Sequence, residues 1–262
     1  MSIKRIKAIL LHEFYITKYS VEVINDIILY PLFSIVVFGF MTLYMVGFTG
    51  QVVANNILIG FILWQVINIT VYSIAVGCLW DVWSRNLTNI FISPLSTGEF
   101  LLSYTLSGIL KALLIVVLAS LISAGVFHFN ILNLGLVNLI LYFINLVGFG
   151  FGFAVIVLGL IFRYGTRVQA LSWGMLNAFQ PLMAVVYPIS VLPEFLQKVA
   201  GIFPATYIFE AVRKNMTDTS IQWPLIAKAF LFNVIFIILS LMFFNFMFSR
   251  SKKLGQFARL EA

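Results

Sequence analysis

Six long apolar stretches restrict what this chain can fold into. They cover residues 27–48, 55–79, 104–127, 135–161, 168–190 and 225–248. Each is long enough to cross the hydrocarbon core of a membrane as a helix, which takes about 20 apolar residues. Only 10% of the 262 residues are charged, too few for the surface of a soluble globule. The sequence therefore predicts an all-α polytopic membrane protein, with six transmembrane helices in a single domain over residues 1–262.

The same composition excludes a soluble enzyme, a disordered chain and a protein that binds nucleic acid. The net charge of +7 comes from basic residues at the ends of the apolar stretches, where they set membrane topology. The single cysteine, Cys78, rules out an internal disulfide and a multi-cysteine metal site. We expect no metal ion in this chain.

The distribution of basic residues predicts the orientation. Most of them lie before the first stretch, after the second, after the fourth, and in the tail, namely Lys4, Arg5, Lys7, Lys18, Arg85, Arg163, Arg167, Arg250, Lys252, Lys253 and Arg259. The other side carries only Lys198, Arg213 and Lys214. Because loops rich in Lys and Arg stay in the cytoplasm, we expect a multi-pass protein of the inner (plasma) membrane with both termini cytoplasmic.

Residues 3–19 precede the first stretch and have an amphipathic pattern. Ile3, Ile6, Leu10 and Phe14 fall on one helical face, with lysines on another. This pattern predicts a helix that lies in the cytoplasmic interface of the membrane, and an ordinary basic topology anchor is the alternative. Lys111, near one end of an apolar stretch, is expected to extend its ammonium group toward the headgroups.

The sequence contains no energy-converting or catalytic motif. It has no GxxxxGK[ST] phosphate-binding loop, so any ATP that drives its work binds to another polypeptide. None of its acidic residues lies in the middle of a predicted span, which argues against an ion-coupled carrier. No cluster of polar residues suggests an enzyme, so we expect a transport subunit that binds no cofactor itself.

Small residues at a spacing of four occur in two of the predicted spans. Gly148 and Gly152 lie in the fourth, and Ala170, Gly174 and Ala178 lie in the fifth. Such stripes allow close approach of helices, so both are expected to pack against neighbours. Four polar residues in the spans either join helices by hydrogen bonds or line a substrate path: Asn68, Asn145, Asn177 and Gln180.

Residues 80–103 form a polar connection between the second and third spans. Leu87, Ile90 and Phe91 fit one face of a short helix, which Ser93 and Pro94 end because proline disfavours a helical residue before it. Glu99 then lies in the first turn of the next helix, where a negative charge is favourable. A short apolar-faced helix of this kind suits the groove of a soluble partner, and a simple connector is the alternative.

Residues 181–214 are apolar but broken by proline. Pro181, Pro188, Pro193 and Pro204 interrupt the end of the fifth span and the segment after it. The segment is expected to form re-entrant half-helices in the outer leaflet, because such backbone is tolerated only against protein or water. It is our candidate for an outer gate, and a surface loop is the alternative.

These two segments resemble the permease subunits of type-2 ATP-binding-cassette exporters, which export O-antigen, teichoic acid, nodulation factors and drugs. The first resemblance is carried by Leu87, Ile90, Ser93, Pro94, Leu95, Ser96, Glu99, Phe100 and Leu101. The second is carried by Tyr187, Pro188, Leu192, Pro193, Pro204, Thr206, Tyr207, Glu210 and Arg213. Many members have Glu-x-Gly before the leucine-rich helix and Gly-Lys after the Glu-led helix, where this chain has Arg85-Asn86 and Ser103-Tyr104, and Asn where it has Phe203.

The resemblance implies that two separate ATPase subunits, which bind ATP and Mg²⁺, work with two permease copies, or two related permeases, in the lipid membrane. It implies that Leu87, Ile90 and Phe91 fill a groove of the ATPase, that Pro94 fixes the corner, and that Glu99 starts the next helix. The substrate is either a lipid-linked polysaccharide or a lipophilic drug or lipid. A self-contained carrier or channel and a membrane-embedded lipid enzyme are the alternative functions.

Overall fold

The computed structural model describes residues 1–253, apart from the side chains of Thr49, Thr88 and Phe91, so Arg259 lies outside the described residues. This range contains helices and no strand, which confirms the predicted all-α fold. The helices are α1 (Ile3–Tyr19), α2 (Val21–Ile24), α3 (Tyr30–Thr49), α4 (Gln51–Trp83), α5 (Leu87–Ile92), α6 (Thr97–Val126), α7 (Leu136–Tyr164), α8 (Leu171–Phe179), α9 (Glu194–Ala200), α10 (Pro204–Asn215) and α11 (Trp223–Lys253). A π-helical turn, Asn25–Leu29, joins α2 to α3.

Within the described range, five helices are long and apolar enough to cross a membrane: Val21–Phe48, Gln51–Trp83, Thr97–Val126, Leu136–Val168 and Trp223–Lys253. The fifth predicted span, 168–190, is not among them because it is not a continuous helix. Its helix α8 has 9 residues and ends before Pro181, which lacks a backbone N–H. Ala184 then adopts a left-handed conformation with a φ of 53°.

The broken segment nevertheless runs along most of α4. At one end, the indole of Trp83 stacks on Trp173 at 6.2 Å. At the other end, the carbonyl of Val185 lies directly against Gly60. Gly60 and Trp83 are roughly 35 Å apart along α4 at the usual helical rise. This distance is similar to the thickness of the hydrocarbon core, about 30 Å.

Helices α4 and α7 form the centre of the bundle, and most of their residues are buried. Helices α3, α6 and α11 surround them and expose large apolar side chains, for example Phe40, Leu121 and Met242. An apolar exposed surface of this kind suits contact with lipid. The thiol of Cys78, near the end of α4, is fully buried.

The glycines of α7 allow two neighbouring helices to approach it from different sides. Gly148 and Gly152 face α11, and a Cβ at Gly152 would lie 2.7 Å from the Phe236 ring. Gly150 faces α4, where a Cβ would lie 2.9 Å from Cβ of Thr70. Gly148 and Gly152 thus lie at the contact between α7 and α11, and Gly150 lies at the contact between α7 and α4.

The stripe of small residues on α8 makes no comparable contact within the described chain. Ala170, Gly174 and Ala178 are exposed, and no atom lies within 4 Å of a Cβ built on Gly174. A packing role for this stripe stays a prediction that requires another chain. Between α7 and α11, the amide of Asn233 donates to the carbonyl oxygen of Asn145 at 2.9 Å.

We predict that Gly152→Val destabilises the bundle by about 1–3 kcal/mol, because the added methyl groups overlap Phe236. Gly47→Val is the matched control, since Gly47 is also helical but has no atom within 4 Å of its Cβ position. Thermal unfolding of the detergent-purified protein measures the difference. Equal midpoints for the two variants would contradict the packing interpretation.

Candidate functional site

The connection between α4 and α6, residues 84–96, forms a projecting corner. Arg85 adopts a φ of 55° just after α4, and this left-handed residue turns the chain. The N–H of Asn86 then donates to the carbonyl of Asp81 at 2.9 Å, and α5 begins. Ser93 is extended before Pro94, as expected from the steric effect of the proline ring. The corner is therefore a short helix held between two defined turns.

A capping box begins helix α6. The hydroxyl of Ser96 accepts a hydrogen bond from the N–H of Glu99 at 3.2 Å. One carboxylate oxygen of Glu99, Oε2, accepts from the N–H of Ser96 at 2.9 Å. This reciprocal pair satisfies backbone donors that the first turn of a helix otherwise leaves unpaired. It also fixes the direction in which α6 leaves the corner.

The second oxygen of Glu99 binds helix α1. Oε1 accepts from the backbone N–H of Ser2 at 2.6 Å and from Nη2 of Arg5 at 2.7 Å. The Arg5 guanidinium also donates to the carbonyl of Pro94. The Glu99 carboxylate is fully buried, so one side chain joins α1, the corner and α6. Sequence reasoning placed Glu99 at the start of α6 but missed its contact with Arg5.

Two apolar residues of α5 point into this chain. Leu87 and Ile90, which were expected to fill a groove of a partner, are 0% and 8% exposed. Leu87 and Ile90 lie on the face of this short helix that packs against the bundle, whereas Ile92 at its end is exposed. The Phe91 side chain lies outside the described part of the structure. The accessible residues, which we call the corner surface, are Arg85, Asn89, Ile92, Ser93 and Pro94.

A buried polar network connects α1, α4 and α6 behind the corner. The Tyr104 hydroxyl donates to the carboxylate of Asp81, and Nε2 of His12 lies 3.7 Å from Asp81 Oδ1. Lys111 Nζ lies 3.0 Å from Glu13 Oε2. Lys111 therefore forms an ion pair with α1 instead of extending to the headgroups. A lysine in an apolar stretch was the visible sequence signal, but its partner is 98 residues away.

Helix α1 turns a different face to the bundle from the apolar face seen in its sequence. Ile9, Glu13 and Ile16 contact the neighbouring helices, whereas Ile3 and Phe14 are 72% and 59% exposed. An exposed apolar face on a helix that also carries lysines is typical of a helix lying at a membrane surface. The exposed face thus leaves Ile3 and Phe14 available for lipid.

The start of α10 lies beside the middle of the bundle. The ring of Phe203 is 6.3 Å from that of Phe149, and Tyr207 is 5.4 Å from Phe232. Phe149 is roughly 20 Å along α7 from its first residue, Leu136, at the usual helical rise. The chain between α8 and α11 therefore returns deep into the bundle.

Helix α10 holds the irregular backbone that follows α8. The carboxylate of Glu210 accepts from the N–H of Ile189 at 2.8 Å and from Arg213 at 2.7 Å. Arg213 also donates to the carbonyl of Ala184 at 2.7 Å, next to Val185. These bonds pair backbone groups that would otherwise be costly in an apolar environment.

The other predicted gate residues shape the same segment. The Tyr187 hydroxyl donates to the carbonyl of Pro181 at 2.6 Å, and the Tyr207 hydroxyl donates to that of Gly201 at 2.8 Å. Pro188 and Pro193 each precede a short helical turn, and Pro204 is the first residue of α10. Proline is favoured at these positions because its missing N–H has no helical partner there.

The turn after α10 is held by short-range hydrogen bonds. The Ser220 hydroxyl and backbone N–H donate to the carboxylate of Asp218 at 2.6 Å and 2.9 Å. These bonds lower the pKa of Asp218 below its usual range, because they favour the charged form. Asn138 of α7 donates to the carbonyl of Thr219 at 3.2 Å, which joins this turn to the start of α7.

Residues 10–217 match the family model described as ABC-2 type transporter. The match covers more than half of the chain. The chain belongs to the ABC-2 type transporter family. This membership identifies it as an integral membrane permease, a transport component of the ABC class. A comparison with curated proteins found no similar sequence. The matched range of this ABC-2 protein includes both the corner and the network around Glu210 and Arg213.

We predict that Lys111→Met destabilises the protein by about 3 kcal/mol, because it leaves the Glu13 carboxylate buried without its partner. The double variant Glu13→Gln with Lys111→Met is expected to recover much of this loss, since neither position then carries a buried charge. Thermal unfolding in detergent measures both. A double variant less stable than Lys111→Met alone would refute the buried ion pair.

Proposed function

We propose that this ABC-2 permease forms the translocation path of an exporter and is driven by two separate ATPase subunits, which bind ATP and Mg²⁺. The supporting observation is the corner surface, which is exposed although the corner itself is anchored to three helices. Ile92 is 78% exposed beside Ser93 and Pro94, and the buried Glu99 lies directly behind them. An exposed apolar residue on a rigid support is a suitable contact for a soluble partner.

Movement of an ATPase against the corner would reach the bundle through three connections. Asn86 connects the corner to Asp81 of α4, and the capping box connects it to α6. Arg5 connects it to α1 through Pro94 and Glu99. A ligand-driven change of shape requires different binding to the two shapes, and the ATPase contact would supply that difference.

The path itself would lie between two permease copies and end at the outer segment. The exposed stripe of Ala170, Gly174 and Ala178 on α8 fits a second copy of this chain, because small residues permit close helix contact. The broken segment follows α4 over a length similar to the thickness of the hydrocarbon core, which supports six crossings of the inner membrane, with both termini on its cytoplasmic side. The outer gate candidates are Tyr187, Pro188, Pro193, Pro204, Tyr207, Glu210 and Arg213.

We predict that Ile92→Asp abolishes co-purification of the cognate ATPase, because it places a charge in an apolar contact. Ile202→Asp is the matched control: Ile202 is 65% exposed but belongs to the segment between α9 and α10. Leu87→Asp is unsuitable, since Leu87 is buried and its loss would test folding.

The measurement is the amount of ATPase retained on the affinity-purified permease. Equal retention by Ile92→Asp and Ile202→Asp would reject the corner surface as the docking site. Transport by the permease reconstituted without any ATPase would reject the proposed function as a whole, in favour of a self-contained carrier or channel.

A further inference from the structure

A cavity of about 210 Å³ lies between the π-helical turn, α4 and α8, and the coupling mechanism leaves it without a role. Asp26 on the π-helical turn forms one wall, Gln65 and Asn68 of α4 form another, and Ser172 and Trp173 near the start of α8 form a third. A π-helical turn is rare and often marks a functional site. Here the π-helical turn carries Asp26, the carboxylate of the cavity wall.

The charge of the cavity is negative. Asp26 is its one charged lining residue, and neither Lys nor Arg is among the described residues that line it. A carboxylate in a largely apolar site favours a positive ligand and disfavours an anionic one. A phosphate or pyrophosphate group would find no basic side chain here.

Aromatic rings complete the recognition of a cation. Tyr30, Tyr72 and Trp173 line the same cavity as Asp26. The faces of such rings attract ammonium groups, and tryptophan does so most strongly. A carboxylate together with three aromatic side chains therefore suits a protonated amine or a quaternary ammonium group.

One buried hydroxyl of the wall lacks a protein partner. Ser172 is 4% exposed, and its Oγ forms no hydrogen bond with any residue of the described chain. An unpaired buried polar group is costly, so a bound polar molecule or its water would relieve a real deficit. This observation is independent of the charge and points to a ligand in the cavity.

The size and the opening of the cavity indicate how much of a ligand it holds. It is smaller than the roughly 300 Å³ at which pockets for whole drug-sized molecules begin. Leu176 and Ile69 supply apolar walls, and Tyr30, which is 65% exposed, lies at the side of the bundle. A small charged head would fit inside while an apolar body extended from the side.

We propose that this cavity binds the cationic head of an amphiphile, a protonated amine or quaternary ammonium with an apolar body. The proposal rests on the proposed function and names its substrate class: a hydrophobic cation taken from the membrane. It disfavours a lipid linked through phosphate or pyrophosphate. Asp26 supplies the charge, the three aromatic residues enclose the head, and Ser172 hydrogen-bonds to it or to its water.

The test measures binding of radiolabelled dodecyltrimethylammonium to the purified permease in dodecyl maltoside, with protein-free micelles subtracted. We expect saturable binding that dodecyl sulfate, an anion with the same chain, does not compete for. Asp26→Asn keeps the shape of the side chain and is expected to weaken binding about tenfold. Trp173→Leu is expected to weaken it about threefold through loss of the ring.

Glu22→Gln is the matched control, because Glu22 is an exposed acid on α2 outside the cavity. This variant is expected to bind dodecyltrimethylammonium with the same constant as the wild type. Equal binding by the wild type and Asp26→Asn, no saturable binding by the wild type, or equal competition by dodecyl sulfate would each overturn the proposal. Asp26→Asn is used only if it elutes as the wild type does, and Trp173→Leu gives a second, independent result.

This measurement uses the permease alone, so the two proposals fail separately. Equal ATPase retention by Ile92→Asp and Ile202→Asp, with Asp26-dependent cation binding intact, would reject only the proposed coupling. If ATPase retention depends on Ile92 but the permease binds cation and anion alike, only the proposed substrate class is rejected.

Discussion

The arrangement of this permease depends on one buried carboxylate. Glu99 accepts hydrogen bonds on both oxygens, and the donors are Ser2 and Arg5 at the start of α1 and Ser96 of the corner. A buried charge is tolerated only when paired and hydrogen-bonded, which makes the positions of Arg5 and Ser96 mutually dependent. The corner surface is consequently presented in a fixed direction, because its support has little freedom to move.

The membrane imposes the second constraint, which explains where irregular backbone occurs. Between α8 and α11 the chain is mostly short helices and turns, yet it lies beside the middle of α7. In an apolar medium such backbone needs protein partners. Glu210 and Arg213 supply them, so two ionisable side chains at this depth have a structural explanation. Any motion of the segment between α8 and α11 would have to break or exchange these bonds.

Much of this structure follows from patterns among residues that are close together in the sequence. Apolar length predicted the long helices, and Ser93-Pro94 and Glu99 predicted a corner followed by a helix start. Contacts between distant residues were not predictable, because neither Arg5 nor Glu99 carries a local sign of the other. Burial of Leu87 was missed for a related reason: an apolar helix face fits a partner's groove and its own bundle equally well.

The broken span shows a further limit of sequence reasoning. Hydropathy indicated a continuous helix over 168–190. Hydropathy shows that a segment suits an apolar environment, but it does not show how the backbone of that segment is hydrogen-bonded. Pro181 marked a break, but the left-handed Ala184 had no signal, because alanine is ordinarily a strong helix former. The residues of the cavity are also far apart in the sequence. Asp26 could be recognised only as an acidic residue at the edge of a predicted span, and Ser172 gave no sequence signal of a site.

The buried position of Cys78 has a practical consequence. It is the one thiol in the sequence, and it is enclosed on all sides by the bundle. A thiol that water and reagents cannot reach is chemically inert. The natural protein therefore serves directly as a background for site-directed labelling, in which a cysteine introduced at any exposed position carries a fluorophore or spin probe without prior removal of a native one.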